Sequence, residues 1–375
     1  MKKTILITAG EASGDTHAAN LVKNLKKLNP DLSFFGIGGA KMQDAGVELV
    51  ERMEKLSIIG IFEVFAKLKE IRLVYKKITD RIAKTPPDIA ILVDYPGFNL
   101  TLAKLLKKRK VSVVYYITPQ VWAWWKSRIY TIKKCIDKAI VILKFEEDLF
   151  KEYGIDATFV GHPLLDREIP KTPLDRKTLN LDGDKFTIAL LPGSRESEVA
   201  NMLPLMLKTA RLILEEKDTQ FILLKSSSVS EDTYGKILQN AKLPLAAIKD
   251  DIYGCLSVSD FVFITSGTAT LESAVMERPM LITYKTSFLT SLLFKIFAKT
   301  PFIGLVNIIA KRKIAPEILQ YDARPQRLAR EILTIVSSKE KMEKQIQDLR
   351  WVKSMLGTSG ASLRAARIVE GFTRK

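Results

Sequence analysis

The sequence predicts an α/β protein built from two Rossmann-like, doubly wound domains. Three observations carry this. Short β-rich apolar runs alternate with amphipathic helical patterns along nearly the whole chain. The runs are near-continuously apolar, with no polar residue at every second position, as expected of strands covered on both faces of a parallel sheet. And 375 residues exceed what one core accommodates, suiting two domains of ~150–200 residues.

Taken in order, the first run, Ile5–Ala9, ends at the turn GEASGD and leads into Thr16–Leu28, where Leu21, Val22, Leu25 and Leu28 share a helical face. Strands are then expected at Ser33–Ile37, Ile89–Asp94, Ser112–Ile117, Ala139–Leu143 and Thr158–Val160. A second series follows at Thr187–Leu191, Phe221–Lys225, Ala246–Ile248, Phe261–Ile264 and Met280–Tyr284, with Leu205–Glu215 as a further helix. Eleven strands are too many for one sheet. The stretch 167–186 has two prolines, many charges and no sustained period, so it reads as an interdomain linker. The expected division is 1–166, the linker, a second domain over 187–340, and C-terminal helices over 341–375 that pack on either domain. Each half opens alike, with strand, glycine turn and helix.

Composition narrows the function. Cys135 and Cys255, the two cysteines, are far apart in apolar surroundings, which excludes a disulfide framework and a Cys-based zinc site and points to a reducing cytosol. The apolar stretch at the N-terminus stops after five residues, short of the ~7–15 of a signal core. The most apolar later region, TSFLTSLLFKIFAKTPFIGLVNIIA, is interrupted by Lys295 and Lys299 and falls short of the ~18 residues of a membrane span. The net charge of +17 favours a polyanion: nucleic acid, an anionic bilayer or a phosphorylated substrate. The lysines are spread over the amphipathic segments with no nucleic-acid-binding spacing, which argues against nucleic acid as a partner.

In open α/β sheets ligands bind beyond the carboxyl ends of strands, and four turns there carry candidate chemistry. LLPGSRESE places Gly193 and Ser194 at a strand end and Arg195 where a helix begins, either as backbone donors and a cation converging on one anion or as a proline-glycine turn with a solvated arginine. FVFITSGTATLE offers Ser266, Gly267 and Thr268 for close approach of phosphate, with Glu272 one turn on for sugar hydroxyls; taken without a second turn of that kind, the motif reads first as an ordinary capped helix. IAILVDYPGFN sets Asp94 at the mouth of an apolar strand, as a base for a substrate hydroxyl or as a turn cap. YYITPQVWAWWK gathers Gln120, Trp122, Trp124 and Trp125, either in the core or lining a groove. His17 and His162 stand alone, and no metal-ligand spacing or cofactor fingerprint is present.

Together GEASGD, VDYPGFN, TPQVWAW, GHP, LPGSR and SGTATLE, in this order and spacing, resemble the lipid-A-disaccharide synthase family over essentially the whole chain. The resemblance implies a GT-B fold with a cleft between its domains and an inverting, metal-independent glycosyl transfer without cofactor at the inner face of the cytoplasmic membrane. The implied substrates are UDP-2,3-diacylglucosamine and 2,3-diacylglucosamine 1-phosphate. Asp94 then corresponds to the general base and Arg195 to an arginine needed for the donor diphosphate. Asn307, in GLVNIIA, corresponds to a residue near the nucleotide in a domain-swapped homodimer of the family. With the diphosphate assigned to the second half, the first turn becomes acceptor-side together with Gln120 and Trp122: Ser13 and Gly14 meet the acceptor's sugar or its 1-phosphate, and Glu11 and Asp15 serve as caps or accept from sugar hydroxyls. Where the family commonly carries a basic residue after TPQVWAW, this chain has Trp125, and Lys126 follows. Rival readings are a UDP-sugar epimerase, a murein-type lipid glycosyltransferase, and a nonenzymatic basic protein of membranes or RNA.

Overall fold

The computed structural model describes residues 3–56, 61–122, 127–170, 172–239, 241–285 and 300–373, with backbone alone over 61–68. Trp124, Trp125, Lys126, Lys295 and Lys299 lie outside the described residues.

The chain forms two compact units. One comprises Met1–Arg167 and Leu356–Lys375, the other Glu168–Met355. The first holds a parallel sheet of β1 (Thr4–Ala9), β2 (Ser33–Gly38), β3 (Glu48–Arg52), β4 (Ile89–Val93), β5 (Ser112–Tyr116), β6 (Lys138–Val141) and β7 (Ala157–Phe159), in the order β3-β2-β1-β4-β5-β6-β7. The second holds β8 (Phe186–Leu191), β9 (Thr219–Lys225), β10 (Leu245–Lys249), β11 (Phe261–Thr265), β12 (Met280–Tyr284) and β13 (Glu317–Leu319), in the order β10-β9-β8-β11-β12-β13. Both are doubly wound.

The central strands are buried because both faces are covered. In β4 every residue from Ile89 to Val93 is buried, and Ile188, Leu190, Phe261 and Phe263 of the second sheet are fully so. At ~1.5–3 kcal/mol per large side chain, these rows supply the bulk of the stabilisation. β3 and β13 escape the sequence pattern because they are edge strands. ELVER has no buried residue and EIL has one.

Two boundaries differ from those expected. The stretch 167–186, read as a linker, is folded into the second unit. Leu174 N–H donates to Ser257 Oγ, and the Arg176 guanidinium donates to Val258 O, Gly183 O and the Asp260 carboxylate. The tail 341–375 splits. Lys339–Met355 stays with the second unit, where the Gln345 amide bonds the backbone of Met280 at both N–H and C=O, as a neighbouring strand would. Ala361–Thr373 returns to the first unit. Its Ala361, Ala365, Ala366 and Val369 pack with Leu21, Val22 and Leu25 of the first helix, Ala12–Leu28. The Asp166 carboxylate accepts from the N–H groups of Gly360, Ala361 and Ser362, capping the returning helix from a distant point in sequence.

Candidate functional site

In each sheet the strand order reverses between its first and fourth strands, β1/β4 and β8/β11, and a crevice opens beyond the carboxyl ends at such a switch point. GEASGD follows β1 and DYPGFN follows β4; PGSR follows β8 and SGTATLE follows β11. The four motif turns thus occupy the two switch points.

In the first unit Asp94 and Tyr95 both have positive φ, 48° and 45°, a conformation costly for residues with a Cβ and tolerated best by Asp and Asn. The surroundings hold it there. Asp94 N–H donates to Tyr116 O at 3.2 Å, and Asp94 O accepts from the Tyr115 hydroxyl at 2.6 Å and from Asn99 Nδ2 at 2.7 Å. Asn99 Oδ1 in turn accepts from the Thr8 hydroxyl at 2.8 Å, tying the turn to β1. The Tyr95 ring lies against Gly10, where a Cβ would fall 2.3 Å from its Cγ, and its hydroxyl donates to Leu56 O. Asp94 is therefore aimed by a strained, fully bonded turn.

Burial and, secondarily, the Glu11 carboxylate raise the Asp94 pKa to about 6. Glu146, absent from the sequence reading, is a further acid, with Asp94 among the lesser causes of its shift. Burial raises it to about 7 despite hydrogen bonds from Trp122 Nε1 at 3.0 Å and Leu143 N–H at 3.3 Å. The signal in sequence was its place in KFEED, directly after a strand. The Trp122 indole is thereby pinned to Glu146 and meets the Phe145 ring edge-on, while Gln120 is exposed. In the first turn Glu11 and Ser13 are exposed, but Gly14 and Asp15 are spent inside the fold. Gly14 packs on Ala9, and the Asp15 carboxylate accepts from the N–H groups of Gly39, Lys41 and Met42. Of the two roles expected of Asp15, cap or acceptor of sugar hydroxyls, its carboxylate takes the first, capping the next loop.

His17 and His162 are both neutral at pH 7. Burial, assisted by Arg167, lowers His17 to about 4; burial, then His17 and Arg167, lowers His162 to about 3. His162 Nδ1 accepts from Leu164 N–H, leaving its proton on Nε2. Among the described residues no group of three or more His, Cys, Asp or Glu is placed to hold a metal ion.

In the second unit the two turns stand side by side, with the Thr265 hydroxyl donating to Leu191 O. Gly193 has φ +111°, a value that favours glycine. Arg195 caps the long helix Glu196–Glu216 with its side chain 60% exposed. The Ser266 hydroxyl donates to Ile303 O, Gly267 and Thr268 are exposed, and a Cβ at Gly267 would meet nothing within 4 Å, so backbone there is open to a ligand. Glu272 is buried.

Asn307 corrects another expectation. It is fully buried, its Nδ2 donating to Ala315 O and Glu317 Oε1 and its Oδ1 accepting from Ile314 and Ala315 N–H. A saturated amide has no bond left for a nucleotide; it shapes the loop between the helix Leu305–Ala310 and β13.

Residues 5–369 match the family model described as Lipid-A-disaccharide synthetase. Lipid-A-disaccharide synthase of Syntrophus aciditrophicus (strain SB) is 41% identical over 369 residues, covering 97% of this chain and 96% of that one. Among solved structures, the glycotransferase of kitacinnamycin superposes with a TM-score of 0.68 at 14% identity, covering 99% of both chains. UDP-GlcNAc 2-epimerase from Neisseria meningitidis bound to UDP-GlcNAc gives 0.67 at 12%, over 99% of this chain and 100% of that one. Both structural likenesses bear on fold alone, and the fold is GT-B.

Proposed function

The chain belongs to the lipid-A-disaccharide synthetase family, and from that premise we propose how its residues divide the work. The enzyme is a hexosyltransferase of lipid A biosynthesis. It transfers 2,3-diacylglucosamine from its UDP derivative to the 6-hydroxyl of 2,3-diacylglucosamine 1-phosphate, giving the β-1′,6-linked disaccharide 1-phosphate and UDP.

Asp94 is the general base, and its position carries the reading: a carboxylate raised to about 6 at a switch point. Such a group is more basic than an ordinary carboxylate yet mostly ionised at pH 7. It takes the proton of the acceptor 6-hydroxyl as that oxygen attacks the anomeric carbon from the face opposite the diphosphate. The bond from that carbon to the diphosphate oxygen breaks, and UDP leaves with the electron pair.

Arg195, Gly193 and Ser194, with the open backbone of Ser266–Thr268, receive the charge that develops on the diphosphate. Glu272 accepts from sugar hydroxyls. Asn307 supports the nucleotide site through its loop and makes no direct bond to the ligand. On the acceptor side, the Glu11 carboxylate is close enough to raise Asp94, and two acids at that mouth disfavour phosphate. Glu11, Ser13 and Gln120 therefore meet sugar hydroxyls, and Trp122 forms a wall. Gly14 and Asp15 act by shaping the turn, while the 1-phosphate points away.

The test is to supply both lipid precursors to the purified enzyme and follow two products. UDP and disaccharide 1-phosphate are expected in equal amounts; an isomerised UDP-sugar with no disaccharide overturns the reading in favour of an epimerase.

No helix among the described residues is long and apolar enough to cross a membrane. The working location proposed is peripheral, on the inner face of the cytoplasmic membrane, supported by the net charge of +17 and the lysine-interrupted apolar stretch 287–299 of the sequence; its continuation is core, with Val306, Asn307 and Ile309 buried. The proposed assembly is the domain-swapped homodimer of the resemblance. Each Lys near an anionic surface contributes about 1 kcal/mol, so Lys295→Glu with Lys299→Glu should weaken co-sedimentation with phosphatidylglycerol vesicles more than tenfold. Unchanged binding places the contact elsewhere.

A further inference from the structure

We propose that Glu198 is a positioning residue of the donor site, holding the Arg195 guanidinium and the Gly193–Ser194 turn in the geometry that receives the diphosphate. The inference rests on the assignment of Arg195 to that diphosphate.

Glu198 stands in the first turn of the helix Glu196–Glu216, three residues after Arg195. Its side chain is 15% exposed, against 60% for Arg195. One carboxylate oxygen, Oε2, accepts from Ser194 N–H at 3.2 Å. The other, Oε1, lies 3.5 Å from Arg195 Nη1 and accepts from the Tyr284 hydroxyl at 3.2 Å. Tyr284 ends β12, and β12 is separated from β8 by β11. This one carboxylate therefore links the ends of β8 and β12 across the mouth of β11, where Ser266, Gly267 and Thr268 lie.

The fit is tight on the turn side as well. A Cβ at residue 193 would fall 2.5 Å from Glu198 Oε2 and 2.8 Å from its Cβ. Gly193 is thus required both by its positive φ and by the carboxylate packed against it. Two consequences follow for the donor site. Ser194 N–H is already spent on Glu198, so Ser194 meets the diphosphate through its hydroxyl. Arg195 gives Glu198 a single nitrogen, and the remaining N–H groups of its five-donor fork stay available for phosphate oxygens. A long exposed side chain tethered at one point loses less freedom when ligand arrives, which is how a carboxylate of the wrong charge for UDP can still favour its binding.

The experiment is a double-mutant cycle on UDP affinity, measured by calorimetry, with thermal unfolding recorded for each variant. Glu198→Ala should weaken UDP about tenfold in the wild-type background, the scale of one lost charge-assisted contact, and less than twofold beside Arg195→Ala. Tyr284→Phe, which leaves the carboxylate in place but loosens it, should weaken UDP in the same direction and by less; it serves if Glu198→Ala does not fold. The acceptor KM should not move. Equal weakening in both backgrounds would mean that Glu198 acts on the fold and not through Arg195, and unchanged or tighter UDP binding would mean that the carboxylate competes with the diphosphate; either result overturns the inference. If Arg195→Ala itself leaves UDP affinity intact, the diphosphate assignment fails first, and the inference falls with it.

Discussion

Asp94→Asn is expected to lower the rate of glycosyl transfer by about 10²–10⁴, the range lost with a general base, while leaving UDP binding intact. The substitution is sterically mild, since Asn tolerates the same left-handed backbone and the main-chain bonds to Tyr115, Tyr116 and Asn99 do not involve the carboxylate. Stability should even rise. The folded-state pKa is raised from 3.8 to about 6, so the ionised carboxylate costs the fold above that pH and costs nothing below about 4. On that sign, Asp94→Asn gains up to about 3 kcal/mol at pH 8 and nothing at pH 4. A variant that is inactive yet melts later cannot owe its inactivity to misfolding. For the wild type, transfer should fall as pH drops through about 6 and Asp94 takes up its proton. Glu11→Gln removes a negative neighbour and should move that limb to lower pH. A limb that stays with Glu11→Gln but disappears with Glu146→Gln would transfer the titration to Glu146. Full activity in Asp94→Asn would remove Asp94 from the base role.

The second large effect concerns the returning helix. Deleting residues 357–375 should unfold the first unit and leave the second intact. The deletion removes Ala361, Ala365, Ala366 and Val369 from the core they share with Leu21, Val22 and Leu25, and it leaves the Asp166 carboxylate with none of its three N–H partners. Losing Val369 and returning Leu21, Val22 and Leu25 to water, at ~1.5–3 kcal/mol for each large side chain, brings the loss into the ~5–15 kcal/mol that holds a typical domain together. Hydrogen exchange read by mass spectrometry should show amide protection lost over 4–167 and kept over 186–355. Protection retained in both stretches would mean that the helix is dispensable. Asp166→Ala is the milder form, with an expected loss of about 2 kcal/mol.

What was legible in the sequence was local. A glycine-bearing turn after an apolar run is readable residue by residue, and GEASGD, DYPGFN, PGSR and SGTATLE all fall at switch points because the chain must turn outside the sheet there. What was hidden depends on contacts distant in sequence. Glu146 reads as an ordinary acid in a charged run; its burial and its bond to Trp122 exist only once β5 and β6 lie side by side. Glu198 reads as one acid of RESE, and nothing in the string announces Tyr284 as its partner. Asn307 and Asp15 look available because polar residues near glycine usually are, whereas each is consumed by backbone N–H groups brought in from elsewhere. The edge strands β3 and β13 lack the unbroken apolar character of their neighbours because only part of each is covered. Arg176 hides for the opposite reason, a charged residue in a proline-bearing stretch that turns out to be bonded along its whole guanidinium.

The path of the chain also orders its synthesis. The second unit is continuous from Glu168 to Met355, but the first is closed by residues from Leu356 onward. At ~5–20 residues per second, a ribosome needs roughly 10–40 s to pass from one boundary to the other. Throughout that interval the first helix has emerged with its apolar face still waiting for Ala365 and Val369. The part made first is therefore the part finished last, and it is this half that holds Asp94. A nascent or truncated chain consequently completes its second unit before it owns a finished first one.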